Sequence, residues 1–162
     1  EFVTFQDADD GACANRIEVQ YEMMQKYNSH HVVVDWQRFD ESLNGKTLDI
    51  PITDDMVISP EKIDVLVRKT RPRHWFKRME ISYPCSGNNP LVKREVFEKV
   101  RFRPLWERTR PSKKGRGADQ DFNYAVAETF RDSIAVKIPL VLWRVKKQNQ
   151  DYRDERYRKI NS

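Results

Sequence analysis

Three carboxylates, Asp7, Asp9 and Asp10, close the run FVTFQDADD within four positions. Like charges this close raise one another's pKa values or call for a cation between them. Hard divalent ions take oxygen ligands, and Mg²⁺ or Mn²⁺ typically couples a few carboxylates to a substrate's phosphates. Placed after a strand, Asp7-Ala8-Asp9 suits the holding of a metal against a phosphorylated ligand, because open α/β sheets bind at the carboxyl ends of their strands. The same residues also suit a solvated turn, with Asp10 capping the helix that follows. A second acidic corner, Asp119 and Asp121 in GRGADQDF, opens a helix. A carboxylate there can serve as a general base, or simply complement the helix dipole. Between the two corners, CSGNNP (85–90) carries Gly87 and Asn88 in a turn whose backbone can approach a ligand.

These corners need elements to hold them. FVTFQ (2–6) alternates as a short strand. Residues 14–27 place Ile17, Tyr21 and Met24 at helical spacing, with Arg16 as a surface charge. HHVVVDWQRFD is rich in β-formers and reads as a strand with Trp36 in the core. Asn44-Gly45 signals a hairpin. Ser59 and Pro60 start a helix that turns Ile63, Leu66 and Val67 inward. LVKREVFEKV combines a short apolar start with a helix, and DQDFNYAVAETFRD is helical, with Phe122, Ala125, Val126 and Phe130 inward. IAVKIPLVLWRV is a strand interrupted by Pro139, hence an edge strand or two pieces, with Trp143 in the core. The elements alternate as α/β.

The 162 residues suit one domain, 1–145, followed by a polar tail over 146–162. Charged residues are 34% of the chain, while 8 Phe, 6 Tyr and 4 Trp argue for a packed interior. The net charge of +5 favours anionic partners without choosing among them. Two cysteines, Cys13 and Cys85, form neither a disulfide framework nor a zinc spacing, and His30, His31 and His74 add no metal-ligand pattern. No apolar run reaches the roughly 20 residues of a membrane helix, and there is no secretory signal. A cytoplasmic location is expected, with room for a peripheral association at the membrane. The start inside an element, without Met, suggests that an upstream half is missing and would complete the sheet.

In this order the segments resemble the second half of an inverting glycosyltransferase of the GT-A fold, similar to the large family 2. That family follows a strand with a motif such as LDADD, here FQDADD, and then an Arg-containing helix similar to NRIEVQ. SGNNPLVKREVFEKVRF is similar to its central stretch, and GADQDF to its acidic GED motif. The resemblance spans roughly residues 2–145. It implies an α/β, Rossmann-like mixed sheet lacking its N-terminal half, a nucleotide-diphospho-sugar donor, a glycan or other hydroxyl acceptor, Mn²⁺ or Mg²⁺, and work on cell-surface polysaccharide. It also implies that Asp7 meets the ribose or base side of the nucleotide and that Asp9, with Asp7, holds the metal. Asp10 is a neighbour in the donor site, and Asp119 is the catalytic base. Ala118 stands where the family has Glu, so the acceptor hydrogen bond made there is either lost or supplied by Asp121, and the family's later His is absent after LWRV.

Lys114 and Arg116, in RPSKKGRG just before Asp119, can meet a diphosphate from a closing loop. Gly87, Asn88 and Trp106 are candidates for the acceptor side, and Trp75 and Trp106 can stack on sugar faces. Two other functions are open: a basic nucleic-acid-binding module resting on the net charge and residues 110–117, with nucleic acid the less favoured partner, and a degenerate GT-A-like domain that binds carbohydrate without turnover.

Overall fold

The structure is a computed structural model and describes residues 1–70, 90–108 and 118–144, without the side chains of Lys69 and Thr70. Its class is mixed α/β. Six strands form one sheet: β1 (Phe2–Thr4), β2 (Gly11–Ala12), β3 (His31–Arg38), β4 (Val57–Ile58), β5 (Pro90–Lys93) and β6 (Ile134–Trp143). The order is β1-β5-β3-β6-β2, and β4 also pairs with β6. Among the described residues only β3 and β6 run parallel; the other pairs are antiparallel. Among the described residues no helix is long and apolar enough to cross a membrane.

Alternation along β3 divides the core in two. Val32 and Val34 pack with Met23 and Met24 of helix α1 (Arg16–Lys26), while Val33 packs with Ile63, Leu66 and Val67 of α2 (Pro60–Thr70) and Ala127 of α3 (Ala118–Phe130). A third cluster joins Val92 of β5 to Val96, Val100, Phe122 and Val126. The Pro60 start and the inward face of α2 agree with the sequence pattern.

Several expectations are corrected. β1 stops at Thr4 rather than Gln6. The buried stripe of α1 is Arg16, Gln20, Met23 and Met24, whereas Ile17 and Tyr21 face out. Asp10 does not cap α1; Asn15 holds that place, and its amide locks onto the Leu48 backbone instead. Asn44-Gly45 makes a turn without a hairpin. Gly45 has φ 71° and its N–H reaches the Ala12 carbonyl, so the turn docks on β2 rather than pairing strands. A Cβ at Gly11 would stand 2.6 Å from Asn44 Oδ1 and 2.9 Å from the Phe39 ring, so both side chains would have to shift to admit one. The stretch after β5 is a 3₁₀ turn, Arg94–Glu98, not an α-helix. Trp36 is 44% exposed and meets partly buried Trp143 edge-on.

Pro139 lies within an unbroken β6 in the sheet interior. The β3–β6 register slips there, from Val34↔Val136 to Asp35↔Pro139, which is the bulge a residue without an N–H needs. On its other side β6 pairs with β4 through Ala135 and Val136 and with β2 through Val141 and Leu142, so Pro139 falls between two short partners.

His31 is fully buried, with Nδ1 3.0 Å from Ser133 Oγ and Nε2 3.1 Å from Asn123 Oδ1. It ties β3 to α3 as a neutral imidazole, donating from Nε2 to the Asn123 carbonyl oxygen and accepting from the Ser133 hydroxyl. Burial pushes its pKa down to about 4, against the opposing hydrogen bond that His31 donates to Asn123. The unfolded chain takes up this proton near the ordinary value, so the stability it withholds is intact above pH ~6.5 and drains away toward pH 4, by up to about 3 kcal/mol. Thermal midpoints measured from pH 7 to 4.5 should fall, and His31→Gln should flatten that part of the profile.

Candidate functional site

The first acidic corner follows β1 directly. Phe5 turns inward from the strand end and packs edge-to-face against Phe102 at 5.4 Å and Phe122 at 6.0 Å. Phe122 is 1% exposed and lies between Phe102, stacked at 4.4 Å, and Phe97, stacked at 5.6 Å. Phe5 precedes Asp7 by two residues, and Phe122 follows Asp119 by three. This aromatic contact therefore draws together two corners that are remote in sequence.

Beyond Phe5 the chain turns at Asp7–Asp10, closed by the Asp10 N–H donating to the Asp7 carbonyl at 3.2 Å. Asp7 and Asp9 are exposed, and Asp10 is half-buried. Downstream, Asp10 Oδ1 accepts the Arg144 backbone N–H at 2.9 Å, and β2 pairs with β6. Upstream, the guanidinium of Arg16 holds Thr4, Phe5 and Gln6. Partial loss of water, then the charges of Asp10, Asp119 and Asp9, push the Asp7 carboxyl above its usual range. The turn and the start of α3 thus share one electrostatic neighbourhood.

Asp119 is half-buried at the first turn of α3. Asp121 is buried and faces Arg103, which donates from Nε to Oδ2 at 2.7 Å and from Nη2 to Oδ1 at 2.5 Å. The fork raises the Arg103 pKa, first through the hydrogen bond to Asp121. Both Asp121 oxygens are engaged by this cation, which ties the 101–108 segment to the helix. Trp106 projects from a 3₁₀ turn, Leu105–Glu107, on that same segment and is 83% exposed. Cys13 is buried, and burial pushes its thiol pKa up, as suits an inert filler. Gly87, Asn88, Lys114, Arg116, Trp75, Cys85, His74 and the tail from 146 lie outside the described residues.

Among the described residues no group of three or more His, Cys, Asp or Glu side chains is arranged to hold a metal ion. Asp7, Asp9 and Asp10 offer hard carboxylate oxygens, the donor type that Mg²⁺ and Mn²⁺ take.

Sequence reasoning placed Arg16 on the surface, where the structure buries it, and passed over Arg103. The signal for Arg16 was its place in the stripe 16, 20, 23 and 24, which keeps helical spacing once polar residues are admitted to a buried face. Arg103 carried no comparable signal, because its partner lies across a loop. No protein-family model and no curated protein matches the chain.

Two measurements follow from this geometry. Carboxyl NMR titration should show the Asp7 pKa moving down in Asp119→Asn, since one of its repelling charges is gone; an unmoved Asp7 would separate the two corners. Arg103→Met leaves Asp121 buried without its cation. With the Arg103 side chain 28% exposed, this should lower chemical-denaturation stability by about 2–4 kcal/mol, at or below the fully buried range.

Proposed function

We propose that the chain carries the catalytic centre of a metal-dependent, inverting glycosyltransferase of the GT-A kind, moving a sugar from a nucleotide-diphosphate donor to a hydroxyl acceptor, with a surface glycan as the acceptor class. One observation carries the proposal: Phe5, two residues before Asp7, packs at 6.0 Å against Phe122, three residues after Asp119, which brings the two acidic corners to one side of the same aromatic cluster. The motif order FQDADD, SGNNPLVKREVFEKVRF, GADQDF supports it from the sequence.

In this proposal Asp7 faces the nucleotide's ribose or base side, and Asp7 and Asp9 are the residues that hold Mn²⁺ or Mg²⁺. The bound ion supplies electrostatic stabilisation to the departing diphosphate. Asp119 accepts the proton of the acceptor hydroxyl as the hydroxyl oxygen bonds to the donor's anomeric carbon from the face opposite the departing nucleotide. The bond from that carbon to the diphosphate oxygen breaks, and its electron pair leaves with the nucleotide, so the configuration inverts. Asp119 is half-buried at a helix start, open enough to meet a substrate hydroxyl. Arg103 engages both oxygens of Asp121, so in this proposal the acceptor contact of the Glu that Ala118 displaces is not assigned to Asp121. The acceptor contact falls instead to the 101–108 segment, where Trp106 offers an exposed ring for a sugar face.

Asp119→Asn should cost about 10²- to 10⁴-fold in transfer rate with the fold retained. Asp9→Ala and treatment with a chelator should each suppress donor turnover, with added Mn²⁺ restoring only the chelated wild type. The assay is release of nucleoside diphosphate from nucleotide sugars, with and without oligosaccharide acceptors. Undiminished turnover in both variants overturns the assignment.

A further inference from the structure

Arg16 is 3% exposed, an uncommon place for a cation. From the first residue of α1 it reaches back across the chain. Nη1 donates to Gln6 Oε1 at 2.9 Å, and Nη2 donates to Thr4 Oγ1 at 2.7 Å and to the Phe5 carbonyl at 3.0 Å. Thr4 in turn donates its hydroxyl to the Pro90 carbonyl at 2.7 Å, so the network extends into β5. A guanidinium presents its donors in a rigid plane, and here the plane spans three consecutive residues of one extended segment. That segment is the one that delivers Asp7.

A purely apolar contact would join α1 to the sheet without the cost of burying a charge. The hydrogen bonds do something packing cannot: they fix the direction and register of residues 4–6, and hence where the turn begins. The downstream end is fixed separately, through Asp10 and Arg144.

We infer that Arg16 is the positioning residue of the acidic turn, clamping Thr4, Phe5 and Gln6 so that the Asp7 and Asp9 carboxylates stand where a nucleotide-sugar diphosphate and its cation are gripped. This deepens, and rests on, the glycosyltransferase proposal. Arg16 itself touches neither substrate nor metal; it acts through the backbone it holds.

The test uses the full chain with Arg16→Lys, Arg16→Met and, as a comparator of similar destabilisation, Val67→Ala in the remote α2 core. Lys keeps the charge but cannot hold three acceptors in one plane, so both Arg16 variants should behave alike. Amide NMR should show the resonances of Asp7, Asp9 and Asp10 displaced in the Arg16 variants and native in Val67→Ala. Binding of Mn²⁺ alone, read by electron paramagnetic resonance, should weaken about 10- to 100-fold, as losses of supporting residues at metal sites do. Donor KM should rise by a similar factor while acceptor KM holds. Native turn resonances in folded Arg16→Met, or Mn²⁺ affinity and donor KM no different from those of Val67→Ala, overturn the inference. A wild-type chain that neither binds Mn²⁺ nor turns over donor defeats the glycosyltransferase proposal, while the NMR comparison still decides whether Arg16 sets the turn.

Discussion

The edge-to-face contact of Phe5 with Phe122 is the constraint on which the acidic site depends. Carboxylates do not gather unaided; each added charge raises the cost of the others. Something apolar must oppose that repulsion, and the opposing force must act close by. Phe122 supplies it, nearly sealed from water and sandwiched between Phe102 and Phe97. Aromatic pairs of this kind are worth about 0.5–1.5 kcal/mol beyond the area they bury. The repelling residues sit at the rim of the cluster, where water still reaches Asp7 and Asp9. The arrangement holds charge at the edge of an apolar anchor instead of inside it.

Around that anchor two arginines do complementary work. Arg16 secures the strand end that leads into the turn, using neutral oxygens of Thr4, Phe5 and Gln6. Arg103 secures the start of α3 through a carboxylate, Asp121. The choice of partner matters for the local charge. Arg103 balances Asp121 and so subtracts one acidic group from the cluster, whereas these bonds of Arg16 consume no carboxylate. His31, bonded to Asn123 one helical turn beyond Asp119, anchors the same helix from the β3 side. Helix α3 is therefore held by an aromatic stack, an ion pair and a neutral hydrogen-bonded imidazole, each resisting a different displacement.

Much of this was legible in the sequence where a local rule governs. Pro60 after Ser59 gave the start of α2, and the spacing of Phe122 and Val126 gave the inward face of α3. The acidic corners stood out because their charges conflict with ordinary packing. What escaped was set by distant partners. Arg16 is buried because Thr4 and Gln6 wait beneath it, and no window along the helix contains them. Ile17 and Tyr21 have the right types for a core but lie on the other side of α1, since Gln20 and Met24 meet the sheet. Trp36 shows the same limit: a β-forming run locates the strand but not which of its residues will be covered. Pro139 misled for a different reason. The rule that proline avoids sheet interiors assumes continuous neighbours on both sides, and β6 has short ones.

That interruption in β6 has a consequence for how the molecule behaves among its own copies. From Lys137 to Pro139 the strand passes between β4 and β2, which pair only at Ala135–Val136 and Val141–Leu142. A bare stretch of apolar backbone there would be a template on which a neighbouring chain could add a strand and begin to aggregate. Proline has no amide hydrogen to offer, and Lys137 is exposed, its ammonium donating to the Asp55 carbonyl. The bulge that accommodates Pro139 also breaks the flat ladder an intruding strand would require. The residue that most disturbs the regularity of the sheet thus also leaves this gap without the amide that an added strand would need.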